Sequence, residues 1–217
     1  MKTLPGICIL LGLSVSLSAQ QDPAAEPYLD KISATLDPGH TVRIDFDYTR
    51  EDLQSGSNVA GEGTLFLQDE NYRIVFEEAM IWFDGETQYS LNKEVEEVYI
   101  SKPDPDDKEF MFSDPIRLLR SYKEEFKYVL LGKGEIRSIE CMILQLDPME
   151  LGGPYAVLKL FVNPVTRDLV ALQVRHKEGI LYTMVITELD RVEKKDEAFF
   201  RFNASDYPMV DVIELVN

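Results

Sequence analysis

The chain has 217 residues, of which 45% are hydrophobic, 10% aromatic and 28% charged. That balance excludes the disordered, collagen-like and disulfide-scaffold classes and leaves enough apolar side chain for one domain with a sizeable core. With 22 Lys plus Arg against 39 Asp plus Glu the formal charge is -17, so the surface repels phosphate backbones and argues against nucleic acid as a partner, while a buried apolar lipid site is untouched by that repulsion.

Residues 1–19 read as a cleavable secretory signal: Met1-Lys2 is a short positive start, Ile7 to Leu17 is mostly apolar, and Ser16 to Ala19 supplies small residues before Gln20. Cys8 stands at the start of the apolar run, not after it, so it does not match a lipoprotein attachment cysteine. The expectation is a soluble periplasmic protein, with residues 20–217 as a single domain. A helix follows, with Asp22 as cap, Pro23 in the first turn and Tyr28, Leu29, Ile32 and Leu36 at helical spacing, stopped by Asp37-Pro38-Gly39. Val42, Ile44, Phe46 and Tyr48 then alternate with Arg43, Asp45 and Asp47, the period of a strand with one apolar face. Short strand-like runs follow at 63–68, 72–77, 79–83, 88–91 and 96–100, separated by turns such as Asp69-Glu70-Asn71, Asp84-Gly85 and Asn92-Lys93.

An acidic proline-rich loop, Pro103 to Asp107, leads to a second helix signal in which Asp114 caps and Pro115 takes the first helical position. Strands are expected again at 127–131, 137–147, 155–162, 169–176 and 181–189, with turns at Gly132-Lys133-Gly134, Gly152-Gly153-Pro154, Asn163-Pro164 and Glu178-Gly179. The sum is about ten or eleven antiparallel strands and two helices, a mainly β (α+β) fold. Tyr155 to Val162 and Ile180 to Leu189 are apolar on both parities, so both sheet faces need cover or a cavity beside them. Once the signal is removed Cys141 is the sole cysteine, set in an apolar strand, and it reads as a packing residue.

The order of these pieces resembles the LolA family of periplasmic lipoprotein carriers. The residues that carry the likeness are Gly61 to Phe66, Tyr72 to Phe76, the Asp84-Gly85-Glu86-Thr87-Gln88-Tyr89 hairpin, the Asp114-Pro115-Ile116-x-Leu118-Leu119 helix, and a closing segment with Phe199, Phe202, Asn203, Tyr207-Pro208 and Val210 to Leu215. The resemblance implies a half-open antiparallel β-barrel with an N-terminal helix and a lid helix covering an apolar cavity. It further implies that the protein shelters lipoprotein acyl chains between an inner-membrane exporter and an outer-membrane acceptor, as a monomer without a cofactor. Parity and resemblance together nominate lipid-contacting residues: Ile44, Phe46 and Tyr48; Leu65 and Leu67; Ile74 and Phe76; Trp82; Leu118 and Leu119; Tyr182, Met184 and Ile186. Ordinary core packing is the competing reading for each, and Trp82 is open between core, cavity wall and docking contact. Where the family has a Lys-Arg-Pro step whose arginine holds the lid, this chain has Gln68-Asp69-Glu70-Asn71, so that latch is not carried over.

Catalytic signatures are missing from the sequence. It holds no Gly-x-Ser-x-Gly, His-Glu-x-x-His, Gly-x-x-x-x-Gly-Lys-Ser/Thr or Cys-x-x-Cys, and only two histidines. Asp104, Asp106 and Asp107 do not make an EF-hand, because Glu109 and Pro115 stand where glycine and glutamate are required. The sequence is therefore read as a non-enzymatic carrier of acyl chains, with a lipid sensor or adaptor of the same fold, or a small hydrophobic-ligand binder, as alternatives.

Overall fold

The structure, a computed structural model, describes residues 21–35, 39–102, 121–149 and 155–215. The expected signal segment, the acidic proline loop and the second helix with Leu118 and Leu119 lie outside those residues. Helix α1 (Glu26–Ser33) opens the domain. The strands are β1 (Thr41–Asp52), β2 (Asn58–Gln68), β3 (Asn71–Phe76), β4 (Ala79–Phe83), β5 (Gln88–Asn92), β6 (Glu97–Ser101), then, after the single helical turn α2 (Tyr122–Glu125), β7 (Phe126–Ile136), β8 (Ile139–Pro148), β9 (Tyr155–Val162), β10 (Leu169–His176), β11 (Ile180–Val192) and β12 (Asp211–Glu214).

The twelve strands among the described residues form one open sheet in the order β12-β6-β5-β4-β3-β2-β1-β11-β10-β9-β8-β7. Neighbours are antiparallel except β12, which runs parallel to β6. The twelfth strand went unread because Asp211 to Glu214 is too short and too acidic to show period-two alternation, and its place is set by pairing with Glu97 to Ile100. Antiparallel pairing puts partnered residues on one side of the sheet. Leu65↔Ile44, Ile74↔Leu65 and Ile81↔Ile74 on one half, and Met184↔Tyr48, Leu172↔Met184, Leu160↔Leu172 and Leu144↔Leu160 on the other, therefore define one continuous front face.

Both faces are apolar, and α1, the β7–β8 hairpin and the segment after β11 cover parts of them. On the front, Ala25, Leu29 and Ile32 of the α1 segment pack onto Leu144, Leu146, Leu158, Leu160 and Val174. Asp22, expected as the helix cap, stands three residues before the N-cap, Ala25; its carboxylate accepts from the N–H of Ala24 at 2.9 Å and of Leu130 at 3.1 Å, tying the segment before α1 to strand β7. The helix is held further by the hydroxyls of Tyr122, donating to Asp30 at 2.6 Å, and of Tyr128, donating to Glu26 at 3.2 Å.

On the back, the far end of the β7–β8 hairpin folds over the sheet. Arg137 at its tip pairs with Asp47 on β1, although β11, β10, β9 and β8 stand between β1 and β7; in a flat sheet five spacings would be roughly 24 Å. The fold-back buries Cys141, Phe161, Ala171 and Val185, with Ile136 and Ile143 packed against them. Gly132-Lys133-Gly134, expected as a turn, lies inside β7. Gly132, at φ +103, sits where the β7–β8 register shifts, and a Cβ on Gly134 would collide with Ile143 Cδ1. These glycines bend and thin the strand, whereas the reversal falls on Arg137 and Ser138, both at positive φ.

A similar thinning shapes the front face. Gly61 and Gly63 of β2 lie opposite Tyr48 and Phe46, and a Cβ on Gly63 would sit 2.5 Å from Phe46 Cζ, one on Gly61 2.8 Å from Tyr48. The two rings lie over the bare backbone of the neighbouring strand. We expect Gly63→Ala to cost about 1–3 kcal/mol through overpacking, measured as a lowered urea midpoint with an unchanged slope. An unaltered midpoint would show that Phe46 turns away at no cost.

Candidate functional site

The half of the front face that α1 does not cover carries the densest set of partly open apolar side chains. Its floor is Val42, Ile44, Phe46, Leu65, Leu67, Tyr72 and Ile74, all buried, and packed on it are half-buried Tyr48, Phe76, Ile81, Phe83, Met184, Ile186 and Leu189. Phe76 meets Phe46 and Tyr48 edge to face with ring centroids 5.9 and 5.3 Å apart, and Tyr72 stacks on Phe83 at 5.1 Å. The result is a smooth apolar surface spanning β4, β3, β2, β1 and β11. It has aromatic bulk in the middle and a flexible methionine beside it, chemistry suited to chains without directional polar groups.

Of the residues nominated from sequence, Ile44, Phe46, Tyr48, Leu65, Leu67, Ile74, Phe76, Met184 and Ile186 are brought together in this cluster. Tyr182 shares the face through its pairing with Arg50, one same-face step beyond the Tyr48–Met184 pair. Trp82 is not brought here. It lies on the back face, 2% exposed, with Met80, Leu91, Val98 and Phe202, its ring 5.7 Å from Phe202 and 5.9 Å from Tyr207. Among the three roles open to it, the position is that of a core residue beneath the closing segment.

Sequence reading missed Ile81, Phe83 and Leu189. The first two were recoverable: Phe83 opposes Tyr72 and Ile81 opposes Ile74, so the parity of β3 with the short Asp84-Gly85 turn fixes which side of β4 faces front. Leu189 was not, because an irregularity between Asp45 and Phe46 offsets β11 so that Ile186 and Leu189, three residues apart, share a face.

The closing segment straps the back of the same sheet half. The buried side chain of Gln68 accepts from the Lys195 N–H at 2.8 Å and donates to the Lys195 carbonyl at 3.0 Å, while Lys194 pairs with Asp69 at 2.8 Å. Thus the Gln68 to Asn71 turn fastens the segment that follows β11. Phe199 lies under the guanidinium of Arg73, 4.6 Å from the ring centroid. Asp84, of the motif hairpin, accepts from the N–H of Thr87 at 2.8 Å and from Arg201 at 2.8 Å, so one carboxylate shapes the turn and anchors the strap.

A scan against protein-family models and a search of curated proteins found no match. Among solved structures, an uncharacterized conserved protein from Thermus thermophilus superposes with a TM-score of 0.57 at 10% identity, over 88% of this chain and 99% of that one, which establishes a shared fold. A putative outer membrane lipoprotein-sorting protein domain from Vibrio parahaemolyticus aligns at TM-score 0.46 and 10% identity, over 82% and 97% of the two chains. A LolA superfamily protein from Nitrosomonas europaea aligns at 0.44 and 11%, over 82% and 97%.

Three carboxyls that fasten cover to this sheet are held below their ordinary value of 3.8: Asp22 by the N–H groups of Ala24 and Leu130, Asp30 by the Tyr122 hydroxyl and then Lys123, and Asp84 because Thr87, Arg201 and Glu86 outweigh a burial that opposes its charge. A depressed folded value means stabilisation that is complete above the unfolded value and is lost as pH falls through the folded one. The urea midpoint should therefore hold steady from neutral pH downward and drop below pH 3.8, and Asp84→Asn should flatten part of that drop. An equal acid response in that variant would remove Asp84 from the group.

Proposed function

We propose that the protein is a non-enzymatic carrier that shelters lipoprotein acyl chains, taking them from an exporter at the inner membrane to an acceptor at the outer membrane, and that residues 1–19 are the signal that exports it. The observation that carries the reading is the half-buried surface of Tyr48, Phe76, Ile81, Phe83, Met184, Ile186 and Leu189 on a fully buried floor. An acyl chain laid along it loses water on one side to aromatic and aliphatic groups, worth about half of the ~0.8 kcal/mol of a fully enclosed methylene. No directional bond is required, so the grip is graded by chain length and can be surrendered to a more extensive apolar acceptor. The sequence resemblance to lipoprotein carriers supports the same role, and the absence of catalytic signatures in the full sequence is consistent with it.

Binding should strengthen about twofold for each added methylene in a series of single-chain acyl ligands until the face is filled. Met184→Lys and Phe76→Lys should abolish binding in variants whose melting curves show them folded, while Val212→Lys, on exposed β12, should leave it intact. Folded Met184→Lys and Phe76→Lys proteins that bind like the parent would overturn the assignment of this face. The transport step is tested separately by mixing the protein with inner-membrane vesicles holding an acylated lipoprotein. A carrier brings lipoprotein into the soluble fraction; a protein that binds acyl ligand yet extracts none is a sensor or adaptor.

A further inference from the structure

The apolar front surface ends at a cation. On β1 the same-face series Ile44, Phe46, Tyr48 continues to Arg50, and on β11 the series Ile186, Met184 continues to Tyr182, paired with Arg50 in register. Arg50 is half-buried, and its guanidinium carbon lies 6.0 Å from the centroid of the Tyr182 ring. Three other arginines pair with carboxylates, Arg43 with Asp45, Arg137 with Asp47 and Arg201 with Asp84. Of the described ones that do not, Arg73 lies on the back face over Phe199 and Arg167, Arg175 and Arg191 are exposed, so Arg50 is the one at the end of the front apolar track. Among the described residues Arg50 makes no ion pair. The acid that feels its charge, Asp52, already accepts from the N–H groups of Ser55 at 3.1 Å and Gln54 at 2.8 Å, and its carboxyl is held below the usual value by Ser55 first and Gln54 next, with Arg50 contributing least. A part-buried guanidinium resting on an aromatic ring retains free donors in its planar fork. In a chain of charge -17, an uncommitted arginine at the end of an apolar track is placed to receive an anionic oxygen.

Resting on the acyl-binding reading of this face but not on its cargo, since the ester- and amide-linked chains of a lipoprotein have no charged head, we propose that the face also takes a free anionic amphiphile, its acyl chain lying on Tyr48, Phe76, Met184 and Ile186 and its negatively charged head, a carboxylate or phosphate, bonded to Arg50. Successive same-face residues on a strand are about 7 Å apart, so a head at Arg50 places the first methylenes over Tyr48 and Met184. The acidic surface slows the approach of such a ligand, but that repulsion is screened beyond about 8 Å at physiological salt, whereas the contact with Arg50 is made at bonding distance.

The test is a calorimetric comparison at neutral pH of two ligand pairs matched in chain length, dodecanoate with methyl dodecanoate and monododecanoyl glycerol phosphate with monododecanoyl glycerol, on the parent and on Arg50→Gln and Arg50→Lys. The parent should bind the charged member of at least one pair about tenfold or more tighter than the neutral one, and the pair that shows it distinguishes a carboxylate head from a phosphate head. Arg50→Gln should erase that preference and leave the neutral ligand's affinity unchanged, and Arg50→Lys should restore part of it. Equal affinity for charged and neutral ligands in the parent, or an Arg50→Gln loss that is the same for both, overturns the head-group assignment while leaving the acyl surface standing. Failure of all four ligands to bind overturns the acyl-binding reading, and this inference with it.

Discussion

A β-sheet with two apolar faces is not stable in water until both are covered, and every larger feature of this protein follows from how that cover is supplied. Leu158, Leu160 and Val162 face front on β9 while Phe161 faces back, and on β11 Met184 and Ile186 face front while Val185 faces back. The back is closed from two sides, by the folded β7–β8 tip over Val185 and Phe161 and by the closing segment over Trp82. The front is closed by α1 over the β8–β10 end. Among the described residues, what α1 leaves is the β1–β4 end of the front, where the outer layer of the cluster is half-buried.

That asymmetry links packing to function. The covered regions are fastened by specific polar contacts: Gln68 to the Lys195 backbone, Arg201 to Asp84, Arg137 to Asp47, and Tyr122 and Tyr128 to the acids of α1. The front patch has the opposite character, with aromatic rings meeting edge to face over two glycines. Polar fasteners fix one geometry, while an apolar surface accepts any chain that displaces water, so the same sheet can be rigid in its frame and permissive at its site.

Much of this was legible in the residues, and the failures have physical causes. Alternation in Val42 to Tyr48 identified the front face of β1 because its other face carries Arg43, Asp45 and Asp47. The end of β9 and both ends of β10 fall at the Asn163-Pro164 and Glu178-Gly179 turns read from the residues. Gly132 and Gly134 misled because glycine serves close packing as well as reversal, and only the approach of Ile143 distinguishes the two uses. Trp82 drew notice as the single tryptophan, yet its facing is set by register with Arg73, and a strand apolar on both sides gives no local sign of that. The role of Gln68 was invisible because its partner, the backbone of Lys195, is 127 positions away.

Photocross-linking with a diazirine-bearing acyl ligand, followed by peptide mapping, tests most directly where a chain is held. Adducts should fall on peptides of β1, β3, β4 and β11 that carry Tyr48, Phe76, Phe83 and Met184, and be competed by unlabelled ligand. Competable adducts confined to the closing segment, around Phe202 and Tyr207, would place the ligand on the back face and contradict the carrier surface described above.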